Sequence, residues 1–108
     1  MIKVGIVGLG GMGTVHYHNY QYIDNCEVVA ALCNSENSRE KAKGFGLRPY
    51  EDIQSMVEKE NIHVVDICTP TYLHKAYVME ALNLHQHVIV EKPLALHRKD
   101  AEEMFDLA

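Results

Sequence analysis

Four short segments carry the residues of this chain that are best suited to chemistry. Each follows a short apolar run of the kind that forms a strand covered by helices on both faces. Ligands of parallel sheets collect where the strands end, so we expect the four segments to lie along one edge of a sheet. They are residues 8–13, 33–35, 68–74 and 91–93.

The first segment has the spacing of a phosphate-binding turn. Gly8, Gly10 and Gly13 match G-x-G-x-x-G directly after an apolar run. The first glycine permits a tight bend, the second lets the backbone approach a pyrophosphate, and the third lets the next helix pack closely. The alternative is a sharp strand-to-helix turn without a ligand. We predict a dinucleotide site at the start of the helix, formed by Gly8, Leu9, Gly10, Gly11, Met12 and Gly13.

The second segment bears on the choice of cofactor. NAD-binding turns of this kind place an acidic residue about twenty residues past the glycines, at the end of the second strand. Here Cys33, Asn34 and Ser35 occupy that place, and Glu36 follows too late to replace a carboxylate there. A small polar loop with Arg39 nearby could accept a 2′-phosphate, which favours NADP over NAD. The alternative for Arg39 is a solvated helix residue.

The third segment, TPTYLH, ends the predicted fourth strand beside the nicotinamide half of a dinucleotide. Thr69-Pro70-Thr71 is predicted to be a turn, because Pro70 cannot continue a central strand. Pro70 also makes the turn rigid. Thr71 is predicted to cap the next helix. His74 is predicted to lie at the cofactor, where it is either a structural hydrogen-bond donor or a catalyst.

The fourth segment is Glu91-Lys92-Pro93, directly after the predicted fifth strand. A lysine there lies at the mouth of the crevice, where its ammonium could polarise a substrate hydroxyl or carbonyl and stabilise a developing alkoxide. Partial burial could also lower the pKa of Lys92 and let it move a proton. The bond before Pro93 is a candidate for cis geometry, which would fix the direction of Lys92. The alternative is a loop lysine in solvent.

We predict no metal site. His16 and His18 are two residues apart on a helix and cannot share a face. His85 and His87 could share a strand face, but no third ligand is evident. The three cysteines lack C-x-x-C spacing. Their odd number and this lack of a motif are typical of free thiols in a reducing cytoplasm.

Composition excludes several classes of function. The 108 residues are enough for one domain, and the net charge of −5 argues against a nucleic-acid partner. No apolar run reaches the roughly eighteen residues of a membrane span. A strand that begins within two residues of Met1 leaves no room for a signal or transit peptide, so we predict a cytoplasmic protein.

Strand and helix patterns alternate along the chain. After the first strand, the predicted strands are residues 27–33, 48–50, 63–68 and 87–90, with Pro49 restricting the short one to a sheet edge. The predicted helices cover residues 12–23, a segment capped by Ser38, a segment over 53–57 closed by Asn61, and residues 73–83 and 97–108. This alternation predicts an α/β fold with a doubly wound parallel sheet of about five strands.

Three motifs in this order, GLGGMG followed by His16, then TPTYLH, then EKPLA, resemble the glucose–fructose oxidoreductase and inositol dehydrogenase family, Gfo/Idh/MocA. The resemblance implies a Rossmann domain that binds NAD or NADP, with residues 69–74 near the cofactor. It implies that Glu91, Lys92 and Pro93 lie near nicotinamide and substrate, and that Lys92 positions the substrate hydroxyl and transfers its proton. The implied reaction is hydride transfer between the cofactor and a sugar, polyol or related hydroxyl compound.

The chain departs from this family in three ways. Cys33 stands where many members have an acidic residue, and Thr71 where many have asparagine. The second, substrate-binding domain and a sixth strand are missing, so residues 1–108 are interpreted as a fragment that binds dinucleotide but turns over little substrate. Uncovered apolar surface at the truncation predicts a homo-oligomer.

Two other functions fit parts of the pattern. A non-catalytic dinucleotide sensor would use the same glycine turn but leaves Lys92 unexplained. A methyltransferase-like fold that binds S-adenosylmethionine also has a glycine turn after its first strand. That fold usually has an acidic residue at the end of the second strand, and Cys33 counts against it.

Overall fold

The computed structural model describes residues 1–92 and 94–108. Strands and helices alternate through this part of the chain. The strands are β1 (Ile2–Val7), β2 (Cys26–Leu32), β3 (Arg48–Tyr50), β4 (Val64–Ile67) and β5 (His87–Val90). The helices are α1 (Gly11–Tyr20), α2 (Glu36–Gly44), α3 (Ile53–Glu60), α4 (His74–Asn83) and α5 (Arg98–Leu107), with a 3₁₀ turn at Thr71–Leu73 before α4.

The five strands form one parallel sheet in the order β3-β2-β1-β4-β5. The chain builds outward from β1 to β3, then crosses to the other side of β1 and builds outward again. The reversal lies between β1 and β4, the position at which such sheets bind ligands. The predicted fold class is confirmed, and β3 with Pro49 lies at an edge as expected.

Each face of the sheet has its own apolar core. Helices α1 and α2 cover one face, where Ile6, Val28 and Ala42 are buried together. Helices α3, α4 and α5 cover the other face over Val65 and Ile67. Burial on both faces explains why β1, β2 and β4 read as nearly continuous apolar runs.

Two predicted helix starts are wrong. Helix α2 is capped by Ser35 rather than Ser38: the Ser35 hydroxyl accepts from the Ser38 amide at 3.2 Å, and the Ser38 hydroxyl accepts from the Ser35 amide at 3.2 Å. This reciprocal pair satisfies two backbone donors that a later start would leave open. Helix α4 begins after Leu73 without a side-chain cap, because Thr71 belongs to the 3₁₀ turn.

Other boundaries agree more closely with the sequence. Strands β3 and β5 have the predicted bounds, and Asn61 closes α3 in a left-handed conformation with φ of 53°. Helix α1 ends at Tyr20, earlier than the predicted residue 23. Among the described residues, no helix has both the length and the apolar character that crossing a bilayer requires.

Candidate functional site

The carboxyl ends of the strands are level with one another. Val7 pairs in register with Leu32 on one side and with Ile67 on the other, and Ile67 pairs with Val90. The loops that follow these strands therefore start along one line. The sheet register thus places the starts of the four sequence segments at one edge.

The glycine turn is built as its spacing predicts. Gly8 has φ of 94°, a left-handed conformation that favours glycine. A Cβ on Gly13 would lie 1.9 Å from the Gly8 carbonyl oxygen, so α1 approaches the turn more closely than any side chain allows. A Cβ on Gly10 would meet nothing within 4 Å. One glycine thus permits tight helix packing, whereas Gly10 faces open space in front of α1.

A cleft of about 390 Å³ opens above this turn. Gly8 and Gly10 form its floor, Asn34 and Ser35 line the β2 side, and residues from the β4 loop line the opposite side. Helix α1 begins at this floor without a side-chain cap. Its first amides and its positive dipole end therefore face a space that an anionic group could occupy.

The β2 side of the cleft is polar and basic. Lys41 of α2 lines the cleft, and its Nζ donates to the Leu9 carbonyl oxygen at 3.1 Å. Arg39 lies farther round the helix and pairs with Glu36 at 3.2 Å. The described residues that line the cleft include no carboxylate. Sequence reasoning missed Lys41, although its helical spacing from Asn37 and Ser38 puts the three on one face.

Cys33 faces the core rather than the cleft. It is buried, and its Sγ lies 3.5 Å from the Ser38 carbonyl oxygen and 3.7 Å from that of Ala31. Burial raises the pKa of the thiol, with partial compensation from the contact with Ser38. The side chain predicted to lie at the cofactor therefore belongs to the apolar layer, and the exposed Asn34 and Ser35 form the wall instead.

The TPTYLH segment forms the opposite wall. Thr69 and Pro70 line the cleft, and the Thr69 hydroxyl is buried with no hydrogen-bond partner in the described part of the chain. His74 is buried behind them, with Nε2 2.9 Å from the Thr69 carbonyl oxygen and Nδ1 3.1 Å from that of Leu94. The geometry of His74 is that of a structural link between the third segment and Leu94, which follows the fourth.

The fourth segment starts at the end of β5. The Glu91 amide donates to the Ile67 carbonyl oxygen at 3.4 Å, which continues the strand pairing by one residue. Lys92 is exposed. Pro93 lies outside the described residues, and so does the predicted cis bond. Thus Glu91 is held by the sheet, while the Lys92 side chain extends into solvent beside the edge.

A polar cluster lies between α1 and the sheet. His16 Nδ1 lies 2.7 Å from the Asp66 carboxylate, and Nε2 contacts the Glu91 carboxylate. Tyr20 donates to Asp66 at 2.8 Å, and the Cys68 thiol lies 3.5 Å from the same carboxylate. The sequence places His16 after the first motif and excludes a metal site shared with His18, but it predicts none of these contacts. The available signal was Asp66, because a carboxylate inside an apolar strand must have partners.

Burial and charge oppose each other in this cluster. Burial lowers the pKa of His16, but hydrogen bonds and charge attraction from Asp66 and Glu91 outweigh it and leave the pKa above its ordinary value. Burial, helped by the charge of Asp66, raises the pKa of both Tyr20 and Cys68. Tyr20 and Cys68 therefore remain protonated donors beside the Asp66 carboxylate.

Ligand atoms of His16, Asp66 and Cys68 lie within 4.8 Å of one another, a spacing within reach of a metal ion. The separation of 2.7 Å between His16 and Asp66 is nevertheless that of a hydrogen bond. Two ligands on one tetrahedral zinc ion stand roughly 3.3 Å apart. A proton between the two groups accounts for this geometry, and the absence of a metal stays a prediction.

Comparison with known proteins agrees with this architecture. A family model described as an oxidoreductase family with an NAD-binding Rossmann fold, Gfo/Idh/MocA, matches residues 2–108. Glucose-6-phosphate 3-dehydrogenase of Bacillus subtilis is 32% identical over 109 residues, which cover 100% of this chain and 31% of that protein.

Two solved structures show the same fold. Biliverdin reductase from Synechocystis, in complex with biliverdin and NADP+, superposes with a TM-score of 0.90 at 32% identity, over 99% of this chain and 34% of that one. The WlbA dehydrogenase of Bordetella pertussis, in complex with NADH and UDP-GlcNAcA, superposes with a TM-score of 0.91 at 27% identity, over 98% of this chain and 34% of that one.

The chain thus spans about a third of the length of these relatives. The family model, the parallel sheet and the glycine turn at the β1–β4 reversal agree with one another. The chain therefore belongs to the Gfo/Idh/MocA oxidoreductase family and contains its NAD(P)-binding Rossmann fold.

Proposed function

We propose that residues 1–108 are the dinucleotide-binding domain of a longer NAD(P)-dependent dehydrogenase that acts on a sugar, polyol or related hydroxyl compound. The observation that carries the proposal is the contrast between two glycines. Gly13 is pressed against the Gly8 carbonyl, whereas the space in front of Gly10 is open. A turn that served folding alone would gain nothing from that open space.

The residues of the cleft fit a dinucleotide. The backbone of residues 8–13 would hold the pyrophosphate at the start of α1. Asn34 and Ser35 would face the adenosine ribose, and Thr69 and Pro70 would lie toward the nicotinamide. The bound nicotinamide supplies a hydride acceptor or donor, which no side chain of the protein can provide.

We propose a preference for NADP. A carboxylate beside the ribose would repel a 2′-phosphate, and the cleft walls in the described structure contain none. Lys41 lines the same wall, and Arg39 precedes it by two residues on α2. These two cations would favour the additional phosphate charge. The sequence predicts Arg39 for this role, and Lys41, which lines the cleft, is the nearer of the two cations.

We assign Lys92 to the substrate. Oxidation of a hydroxyl removes a hydride from carbon and a proton from oxygen. The Lys92 amine, beside the sheet edge that Glu91 fixes, would hydrogen-bond that oxygen and accept its proton. In the reverse direction it would donate the proton to the developing alkoxide. Substrate contacts beyond Lys92 would come from the remainder of the longer protein.

Self-association is also proposed, with a second copy as the occupant of one apolar groove. The groove lies along α4, the edge strand β5 and α5, where Ile89, Phe105 and Leu107 are exposed. An apolar groove beside a free strand edge favours pairing. Light scattering of the 108-residue chain should show a mass that rises with concentration, and a monomer at high concentration would contradict this.

The cofactor proposal is tested by calorimetric titration of the chain with NADPH and NADH. The variant Gly10→Ala should fold normally, since its Cβ meets nothing, yet weaken dinucleotide binding by about tenfold or more, equivalent to about 1.4 kcal/mol. Gly44→Ala is the control, because this glycine also has open space but lies at the far end of α2. Unchanged binding by Gly10→Ala would overturn the proposal, as would no binding by the folded parent.

The catalytic proposal needs the longer protein. Lys92→Met should lower kcat by about 10²- to 10⁴-fold, the usual contribution of a positioned acid–base group. Lys99→Met, an exposed lysine on α5, is the matched control. A non-catalytic dinucleotide sensor would bind the cofactor and show no turnover that depends on Lys92.

A further inference from the structure

His16 lies between two carboxylates that come from distant parts of the fold. Asp66 belongs to the central strand β4 and is fully buried, whereas Glu91 follows the edge strand β5. The imidazole contacts one with Nδ1 and the other with Nε2. One ring thus joins the helix of the glycine turn, the middle of the sheet and the segment that carries Lys92.

With both carboxylates ionised, the two contacts together require a proton on each ring nitrogen. An ionised carboxylate only accepts hydrogen bonds, and a neutral imidazole has a single N–H. A neutral His16 could therefore donate to Asp66 or to Glu91, but not to both. The imidazolium donates to both, and its charge compensates the two anions that flank it.

The other titratable groups around the ring do not replace this cation. Tyr20, from α1, donates a neutral hydroxyl to Asp66. Cys68, from the end of β4, contributes a neutral thiol that lies 3.5 Å from Asp66 and 3.2 Å from His16 Nδ1, so it touches the ring without adding charge. Neither side chain contacts Glu91 in the described structure. The Glu91 backbone is held by the sheet, and its side chain is tied to the interior through the ring of His16.

We infer that His16 is a positioning residue: its imidazolium ties Glu91 to Asp66, and thereby fixes the backbone of Lys92 relative to the glycine turn. Loss of the proton removes one of the two donors and releases the Glu91 side chain. The position of Lys92 therefore depends on pH. The consequence for turnover rests on the proposed function, whereas the structural coupling does not.

The coupling is measured by NMR on the 108-residue chain without cofactor. The ring of His16 should titrate with a midpoint above the ordinary histidine value of about 6.5. The backbone amides of Glu91 and Lys92 should change shift with the same midpoint. The variants His16→Gln and His16→Asn should lose this step, because neither side chain titrates in this range, while circular dichroism shows that they are folded.

Two further variants complete the test. His18→Gln removes an exposed histidine from the same helix and should leave the Lys92 step unchanged. Glu91→Gln, at a partly exposed position, should move the His16 midpoint toward the ordinary value. A pH-dependent shift change of the Lys92 amide that persists in His16→Gln would overturn the inference. So would a His16 titration midpoint at or below about 6.5 in the parent chain.

These results separate the inference from the proposed function. If the shift of the Lys92 amide follows the protonation of His16 but Lys92→Met leaves turnover unchanged, the coupling stands and the catalytic role fails. If Lys92→Met abolishes turnover but its amide ignores the protonation of His16, the positioning role fails alone. In the longer protein, His16→Gln should flatten the pH profile of kcat on its alkaline side and leave KM for the dinucleotide nearly unchanged.

Discussion

Two carboxylates are buried in the described part of the chain, and each is satisfied by a tyrosine and a cation. Asp66, in β4, accepts from Tyr20 and faces His16. Glu60, at the end of α3, accepts from Tyr50 and pairs with Arg48 at 3.3 Å. The chemistry of the two clusters is similar, but the Asp66 cluster lies at the central strand β4, whereas the Glu60 cluster lies where α3 meets the edge strand β3.

The difference lies in the cations. Arg48 is 75% exposed and keeps its charge at any ordinary pH, so its pair with Glu60 joins α3 to the edge strand β3 and reaches no further. His16 is 16% exposed and titrates, and its second nitrogen continues to Glu91 beside the candidate site. A buried carboxylate therefore points to the candidate site only when its partner, like His16, also contacts a residue beside that site.

The largest expected effect distinguishes the two carboxylates directly. Asp66→Ala should lower the free energy of unfolding by about 3–5 kcal/mol, because it leaves a partly buried imidazolium without its main partner. Glu60→Ala should cost clearly less, because the exposed Arg48 regains water. Urea denaturation at neutral pH measures both variants. Equal losses would show that the two clusters are energetically the same.

A second, smaller effect concerns pH. The pKa of His16 is raised in the folded chain, so its stabilisation is complete below the unfolded value of about 6.5 and is lost as pH rises through the folded pKa. The difference in unfolding free energy between the parent and His16→Gln should therefore shrink as pH rises above 6.5. The Glu60 cluster should show no such change, since Arg48 does not titrate there.

Denaturant curves at a series of pH values from about 6 to 9 test this prediction, within the range where histidine changes charge. The variant Arg48→Gln serves as the control. Its difference from the parent should stay constant over the range. A constant difference for His16→Gln would contradict a charged ring in the folded state.

The sheet was predictable because its determinants are local. Apolar runs that alternate with helical patterns specify parallel strands, and Pro49 specifies an edge. The helix starts were harder, because Ser35 and Ser38 are three residues apart and either could act as a cap. Only the completed turn shows that they cap reciprocally.

The site was predictable where the backbone forms it. The glycine spacing specifies the turn without knowledge of distant residues. The cluster around His16 was not predicted, because its partners are 50 and 75 residues away in sequence. The buried Gly13 nevertheless contained a clue, since a residue three positions later on the helix must face the same sheet. The burial of the Cys33 side chain was not predicted, because its position in the sequence does not tell which side of the strand end it lies on. A contact between Cys33 and the cofactor stays a prediction.

A third prediction compares the two tyrosines. Tyr20→Phe should cost about 1–2 kcal/mol, because it removes a donor from a carboxylate that water does not reach. Tyr50→Phe should cost less, because Glu60 lies nearer the surface and keeps Arg48. Ultraviolet titration should show both phenols ionising above their ordinary range. Burial dominates the pKa shift of Tyr20, and the hydrogen bond to Glu60 dominates that of Tyr50.

The smallest expected effect belongs to Arg48. Arg48→Ala should lower the free energy of unfolding by about 1 kcal/mol, because water screens the exposed guanidinium and Tyr50 still donates to Glu60. This loss should diminish further at 1 M NaCl, where the Debye length is about 3 Å, whereas the loss in Asp66→Ala should persist. Denaturant curves with and without salt measure both. A large, salt-insensitive loss in Arg48→Ala would mean that the edge cluster is as well shielded as the central one. The proposed difference between the Glu60 cluster at the sheet edge and the Asp66 cluster at its centre would then be wrong.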